Sequence, residues 1–341
     1  MKASAPAPRR IATAGARANA FAFAIAMALV PLAAAAQAQA GTARIGFLSF
    51  FPTPTAAMPD PNEAGFRQGL SEGGYVEGRN IVIERRYADG DASRLAALAA
   101  ELVRLRVDAI LAGGQAAREA ARKATATIPI VTLSGSDPIR EGWAKSLARP
   151  GGNVTGLTFT FPELAPKRLE LLKQALPELT HIAVIIDPAE IVDAPDVLRE
   201  TEAGARRLGL KMQVLQIHGR KDLQEAFARA RRGNAQALVA MAMWPHRSEV
   251  AELAMRSRVA VMGEESHEAQ AGFLIAYGAD LDDLVRRSAL QMARILKGAR
   301  AGELPIERPT KFRLSVNLKT AKALGITIPQ ALLARADEVI Q

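Results

Sequence analysis

Short β-prone apolar runs and amphipathic helical stretches alternate from residue 43 to the end of the chain, and few architectures accept that rhythm. A strand followed by a helix that returns to the next strand makes parallel pairing the default, with helices covering the faces of an α/β sheet. The first run, Arg44-Ile45-Gly46-Phe47-Leu48-Ser49, leads to a helix containing Phe66 and Leu70 that stops at Gly73-Gly74. A strand at 81–83 follows, then an N-cap candidate at Asp91 or Ser93 and a helix with Leu95, Leu98, Leu102 and Leu105 at intervals of three and four. That spacing marks a core-facing stripe. A strand at 109–111, the turn Gly113-Gly114-Gln115, a helix at 116–124 and a strand at 130–133 complete four β-α steps.

After Arg149-Pro150-Gly151-Gly152-Asn153 the run Val154-Thr155-Gly156-Leu157-Thr158-Phe159 reads as a first hinge that opens a second set of the same alternation. The second set comprises a helix at 168–176, strands at 182–186, 212–217, 237–240 and 259–262, and the helices between them. A strand at 273–276 precedes a long amphipathic helix, 281–297, which is expected to return to the first half. The last stretch holds a strand in which Phe312, Leu314 and Val316 share one face, a short helix ended by Gly325, and a helix started by Thr327 and Pro329. Two similar halves imply two Rossmann-like lobes. The expected division is lobe I over 41–156 plus 276–307 and lobe II over 157–275 plus 308–341, with three crossings making a stiff hinge.

Residues 1–40 stand apart. They carry Lys2, Arg9, Arg10 and Arg17, no acid, an apolar run at 21–32, and the tail Ala36-Gln37-Ala38-Gln39-Ala40 with two overlapping A-x-A sites. That layout predicts a cleaved signal peptide, cut after Ala38 or Ala40; the run falls short of the roughly 20 residues a spanning helix needs. The Arg9-Arg10 pair leaves Sec and twin-arginine export both open. With no cysteine in the chain, a lipid anchor, a disulfide and a thiolate metal site are excluded, and a soluble periplasmic protein is expected. Removing the leader takes four positive charges from a formal +9, leaving +5. The remaining basic residues lie scattered beside acids, without the concentrated face that nucleic acid requires.

In open parallel sheets, ligands sit beyond the carboxyl ends of the strands, where loops converge and helix N-termini offer N–H donors. That rule selects Ser49, Phe51, Gly114, Gln115, Ser134, Ser136 and Asp137 in the first half, and Asp187, Trp244 and Glu264 in the second. Gly113-Gly114-Gln115 either lets a carboxylate approach backbone amides or simply forms a turn. Asp137-Pro138 and Asp187-Pro188 either present carboxylates to an ammonium group or cap turns. Trp244 either stacks on a ring or packs. His181, His218, His246 and His267 show no H-x-x-x-H or H-E-x-x-H spacing, and the glycine-rich nucleotide motifs and G-x-S-x-G do not occur. No catalytic residue, metal site or cofactor is expected, so the chain is read as a binding protein and not an enzyme.

Specific motifs sharpen that reading. Gly65-Phe66-Arg67-Gln68-Gly69-Leu70 with Gly74-Tyr75-Val76-Glu77-Gly78-Arg79-Asn80-Ile81, then Thr127-Ile128-Pro129-Ile130-Val131, Ser146-Leu147-Ala148-Arg149-Pro150-Gly151-Gly152-Asn153, Lys167-Arg168-Leu169-Glu170-Leu171-Leu172 and Pro309-Thr310-Lys311-Phe312 run to the C-terminal block Asn317-Leu318-Lys319-Thr320-Ala321-Lys322-Ala323-Leu324-Gly325. Together they closely resemble the ABC-transporter substrate-binding protein family that includes tryptophan- and tyrosine-binding members. The resemblance implies a type I periplasmic-binding-protein clamshell, monomeric, that closes on a small solute and works with separate permease and ATPase subunits of an importer. The family's Asp-Pro after the fourth strand is kept as Asp137-Pro138, whereas Asp187-Pro188 stands where Asn-Pro is usual. The segment 241–246 and the proline-rich loop 49–60 also depart from the pattern. The leading expectation is an amino-acid-like ligand, its carboxylate on amides near 114–116 or 134–136 and its ammonium near Asp137 or Asp187. A periplasmic sensor that presents solute to a membrane receptor kinase is the alternative. A ligand-responsive repressor would carry a helix-turn-helix where the leader stands.

Overall fold

The computed structural model describes residue 1 and residues 41–55, 60, 63–135, 137–159, 162–188, 194–243 and 246–341. These fall into a short N-terminal unit, Met1–Ala43, and a body, Arg44–Gln341. The expected leader lies outside the described residues, apart from Met1. Among the described residues no helix is long and apolar enough to cross a membrane.

The body holds two sheets. The first is built from β1 (Ala43–Ser49), β2 (Ile81–Tyr87), β3 (Ala109–Gly113), β4 (Ile130–Ser134) and β5 (Val154–Thr158), in the order β2-β1-β3-β4-β5. β1 and β3, β3 and β4, and β4 and β5 pair in parallel, with Ile110 opposite Ile130 and Ile130 opposite Val154. Helices α1 (Glu63–Glu72), α2 (Leu95–Arg104) and α3 (Gln115–Ala124) lie between the early strands. The leucine stripe behaves as its spacing requires: Leu95 and Leu102 are buried in the core under α2, with Leu98 and Leu105 partly covered beside them.

The second sheet takes β6 (His181–Ile186), β7 (Lys211–Gln216), β8 (Ala237–Met241), β9 (Ala260–Gly263), β10 (Ile275–Ala279), β11 (Phe312–Asn317) and β12 (Glu338–Ile340), in the order β12-β11-β10-β9-β8-β6-β7. Only β10 and β11 pair antiparallel among the pairings described; the rest are parallel. β6 shows why its run is continuously apolar. Ile182, Val184 and Ile186 enter one core cluster, while Ala183 and Ile185 enter another on the opposite face, as a strand covered on both sides must. The flanking helices are α4 (Ala165–Ala175), α5 (Ala194–Arg207), α6 (Leu223–Arg232), α7 (Arg247–Ser257), α8 (Ser266–Ala271), α9 (Leu281–Leu296), α10 (Leu318–Leu324) and α11 (Gln330–Leu333).

The run at Val154 does not open the second set. It is the fifth strand of the first sheet, and Gly156 fixes it there: at φ 144°, a Cβ on this residue would lie 1.9 Å from the Thr132 carbonyl oxygen of β4. The chain leaves the first sheet only after Thr158. It crosses again between Ala279 and Leu281, where β10 gives way to α9, and a third time between Glu307 and Phe312. The crossings are stitched to one another. The Thr158 N–H donates to the Glu307 carbonyl, the Glu307 N–H to the Gly156 carbonyl, and the Asp280 N–H to the Lys311 carbonyl, at 2.9 to 3.0 Å.

Helix α9 packs on α1 through three small residues spaced four apart. A Cβ on Gly69 would sit 2.1 Å from the Arg286 carbonyl oxygen, one on Gly73 2.3 Å from the Ala293 Cβ, and one on Gly65 3.0 Å from the Asp282 carbonyl oxygen. The Gly65-Phe66-Arg67-Gln68-Gly69-Leu70 motif is therefore a groove for another helix, with Phe66 and Leu70 buried beside it.

Candidate functional site

An ion pair joins the carboxyl ends of the two sheets. Arg140, in the loop after β4, reaches Asp196 in the first turn of α5, the helix that follows β6. Between these ends lie the sequence-selected residues that the structure describes; Ser136 and Trp244 lie outside the described residues.

On the first sheet, Ser49 ends β1, buried, and its Oγ accepts from the Phe51 N–H at 3.1 Å. Phe50 and Phe51 meet edge to face, with ring centroids 6.0 Å apart. Gly114 is the N-cap of α3, with φ 88° and ψ 170°, and as a glycine it brings no side chain to the amides of the first turn that begins at Gln115. Those amides are the donors an anion needs. Asp137 caps its own loop: Oδ1 accepts from the N–H groups of Ile139 and Arg140 at 2.9 and 3.2 Å. Ser134 is buried, and its Oγ accepts from Arg118 Nη1 at 2.6 Å.

On the second sheet, Asp187 follows β6, buried, and its Oδ2 accepts from the Gly219 N–H at 2.8 Å. Glu264 follows β9; Oε1 faces Arg168 Nη1 at 2.7 Å and Oε2 accepts from the Ala242 N–H at 2.7 Å. All three carboxylates selected from the sequence thus serve the framework with at least one oxygen. In Glu264 both oxygens do so.

Two residues the sequence reading passed over organise these edges. Arg118 on α3 is fully buried and paired with Glu141, Nη2 to Oε2 at 2.7 Å, while its guanidinium lies 5.0 Å from the Trp143 ring centroid. Burial pushes the Arg118 guanidinium below its ordinary value and the Glu141 charge opposes that shift. Arg168 on α4 is also fully buried, and donates through Nε to the Tyr277 carbonyl at 2.8 Å besides holding Glu264. Helical spacing carried the signal. Arg118 stands three residues before Ala121, and Arg168 three before Leu171, both on buried faces.

Next to Glu264, Glu265 and Glu268 form a capping box at the start of α8. Glu268 Oε2 accepts from the N–H groups of Glu264 and Glu265 at 2.6 and 3.0 Å. Burial, reinforced by the Glu264 charge, raises the Glu268 carboxyl to about 7, and burial beside Glu268 pushes Glu265 up as well. Among the described residues no group of three His, Cys, Asp or Glu is placed to hold a metal ion. A cavity at the hinge, lined by Asp280, Lys311, Phe312, Arg313 and others, sits at the carboxyl end of β10. Its cations are paired, Lys311 with Asp283 and Arg313 with Asp280.

The chain is similar to known proteins. The family model described as ABC transporter substrate binding protein matches residues 57–340. A tyrosine-binding protein of Clostridioides difficile (strain R20291) is 26% identical over 273 residues, covering 78% of this chain and 77% of that protein. The crystal structure of a conserved domain protein from Vibrio cholerae is 27% identical with a TM-score of 0.76, covering 87% of this chain and 99% of that one. A Streptococcus pneumonia domain in complex with L-Trp, 23% identical with a TM-score of 0.77 over 88% of this chain and all of that one, shares the fold.

Proposed function

This chain belongs to the ABC transporter substrate binding protein family, and we propose that it acts in the periplasm as the solute-capturing component of an importer, taking an amino acid or amino-acid-like molecule between its lobes. Export by the leader at 1–40, a monomeric state and delivery to a membrane permease energised by ATPase subunits are parts of the same proposal. It performs no chemistry on its cargo. The observation that carries the reading is the meeting of two sheets at their carboxyl ends, with the first turn of α3 opening there behind a glycine N-cap, Gly114.

The carboxylate of the solute sits on the amides that begin at Gln115, where the α3 dipole favours an anion. Its ammonium lies near Asp137 or Asp187, with Phe51 and the Ser49 edge beside it; Ser136 and Trp244 join the proposal on the sequence alone. Glu264 joins this site through its backbone, because its carboxylate is committed to Arg168 and Ala242. The tyrosine-binding relative supports an amino acid as the class of ligand.

The test is a thermal-shift screen on protein freed of carried-over solute by unfolding and refolding, against amino acids, short peptides, purines, organic acids and sugars. A solute at about 100 times its Kd adds roughly 2.7 kcal/mol. The expected result is a shift with a free amino acid that its methyl ester and its N-acetyl derivative fail to give. A shift confined to a sugar or a purine would discard the amino-acid assignment and keep the carrier.

A further inference from the structure

We propose that Arg140 and Asp196 form a latch that holds the two lobes together before any solute arrives. The proposal rests on the carrier reading only in taking the lobes to move about the three crossings. Arg140 belongs to the loop after β4, in the lobe of the first sheet, and Asp196 to the first turn of α5, in the lobe of the second. Neither residue lies in a crossing segment, so their contact adds a tie between lobes that the chain itself does not impose.

Both ends of the tie are preset. On one side, Asp137 Oδ1 takes the N–H groups of Ile139 and Arg140, and the Asp137 carbonyl accepts from the Glu141 N–H at 3.0 Å. Glu141 is in turn held by buried Arg118 and by the Trp143 Nε1–H at 2.8 Å. The turn that presents Arg140 therefore stands on a buried base. On the other side, Asp196 occupies the first turn of α5, where the helix dipole favours an acid, and Arg199 one turn on holds its Oδ1 at 2.5 Å. The turn and the Asp196 carboxylate are thus placed beforehand, so the ordering entropy that weakens exposed ion pairs falls here mainly on the Arg140 side chain. Hydrogen bonds from Arg140 and then Arg199 keep the Asp196 carboxyl below its ordinary range, so the latch stays charged at neutral pH.

A latch of this kind sets the ligand-free balance between open and closed forms. A solute that binds the closed form gains apparent affinity from every increase in the closed fraction, while its entry waits on the open one. The Asp137 carboxylate, attractive from the sequence as a ligand for an ammonium group, acts here as the orienting element of the arm that bears Arg140.

The chain has no cysteine, so spin labels can be placed at Lys123→Cys on α3 and Gln224→Cys on α6, both exposed, and the distance between them measured by pulsed electron resonance without solute. The expected result is that Arg140→Gln and Asp196→Asn each raise the long-distance share relative to the short by about two- to fivefold, the range open to a partly exposed pair. Salt at about 1 M should do the same to the parent and little to the variants, because such a pair is screened. Arg199→Gln, which touches Asp196 from its own helix and does not join the lobes, should open them less than Arg140→Gln does. The latch is overturned if Arg140→Gln matches the parent at low salt, or if Arg199→Gln opens the lobes as much as Arg140→Gln does. Failure of the carrier reading looks different: the solute-free comparison stands, but no solute in the panel changes the distribution of any of these proteins.

Discussion

Arg118 and Glu141 face each other at 2.7 Å with the arginine wholly out of solvent, and the same Glu141 oxygen accepts from the Trp143 indole at 2.8 Å. The pair joins α3 to the loop after β4, the two segments that supply most of the site on the first sheet. Arg168 and Glu264 make the matching connection between α4 and the end of β9. Among the described residues, each lobe thus carries a buried arginine whose carboxylate partner comes from a strand-end loop beside the candidate site.

Removing one member of such a pair leaves the other buried without its counter-charge. Arg118→Ala is expected to cost about 3 to 5 kcal/mol of unfolding free energy, measured by urea denaturation. The double variant Arg118→Met with Glu141→Leu should recover a large part of that loss. Equal destabilisation in the single and double variants would mean that the arginine contributes packing and little charge.

The contact of α1 with α9 predicts a sharp contrast between a glycine inside it and one far from it. Gly69→Ala places a methyl group 2.1 Å from the Arg286 carbonyl, and overpacking of this kind costs typically about 1 to 3 kcal/mol. Gly152→Ala, which meets nothing within 4 Å, should fall within about 0.5 kcal/mol of the parent. Thermal or urea unfolding of the two variants side by side checks the contrast.

Asparagine separates the two roles open to the selected aspartates. Asp137→Asn and Asp187→Asn keep an acceptor for the backbone N–H groups, so each should stay within about 1 kcal/mol of parental stability. The variant that faces the solute ammonium should lose about tenfold or more in affinity, the worth of a hydrogen bond to a charged group. Titration calorimetry with the amino acid found in the screen reads it directly. Parental affinity in both would move the ammonium elsewhere.

Glu268 sets the sign of a pH effect. Its folded value, about 7, lies above the ordinary 4.5, so the folded state binds more protons than the unfolded state between those limits. The contribution is fully present below about 4.5 and is lost as pH rises through about 7. Glu268→Gln should remove that part of the slope of unfolding free energy against pH over this window. A slope identical to the parent's would assign the dependence to other groups.

Much of this fold could be read from residue spacing. Periodicity located the strands and the long helices because those elements bury whole faces, as Leu95 and Leu102 do under α2 and Ile182 to Ile186 do in β6. It failed where a strand's place depends on a partner far away. Val154–Thr158 reads the same whether it ends one sheet or begins another, and only the fit of Gly156 against Thr132 decides. The short helix α8 and the strand β12 are too brief to show a period. At the candidate site, the rule of strand ends selected loops, and several of the side chains it named turn out to have framework partners. A carboxylate after a strand looks like a ligand for an ammonium until its backbone partner is known, and the partners of Asp187 and Glu264 come from Gly219 and from Arg168 and Ala242. Arg118 sits in the stretch Gln115-Ala116-Ala117-Arg118-Glu119, whose composition resembles a solvated helix face, so its burial was masked by its neighbours.

The seating of α9 on α1 also dictates an order of assembly. Arg286 of α9 reaches Glu72 of α1 across 214 positions of sequence, and between them the chain builds most of the other lobe. A chain emerging from its N-terminus can form β1 to β5 and still lack the helix that covers the Gly65, Gly69 and Gly73 face. The lobe that begins first is therefore completed late, and its exposed groove must wait, unfilled and prone to wrong partners, until the residues around 290 have appeared. Long-range closure of this kind slows folding and lengthens the time for which that groove stays uncovered.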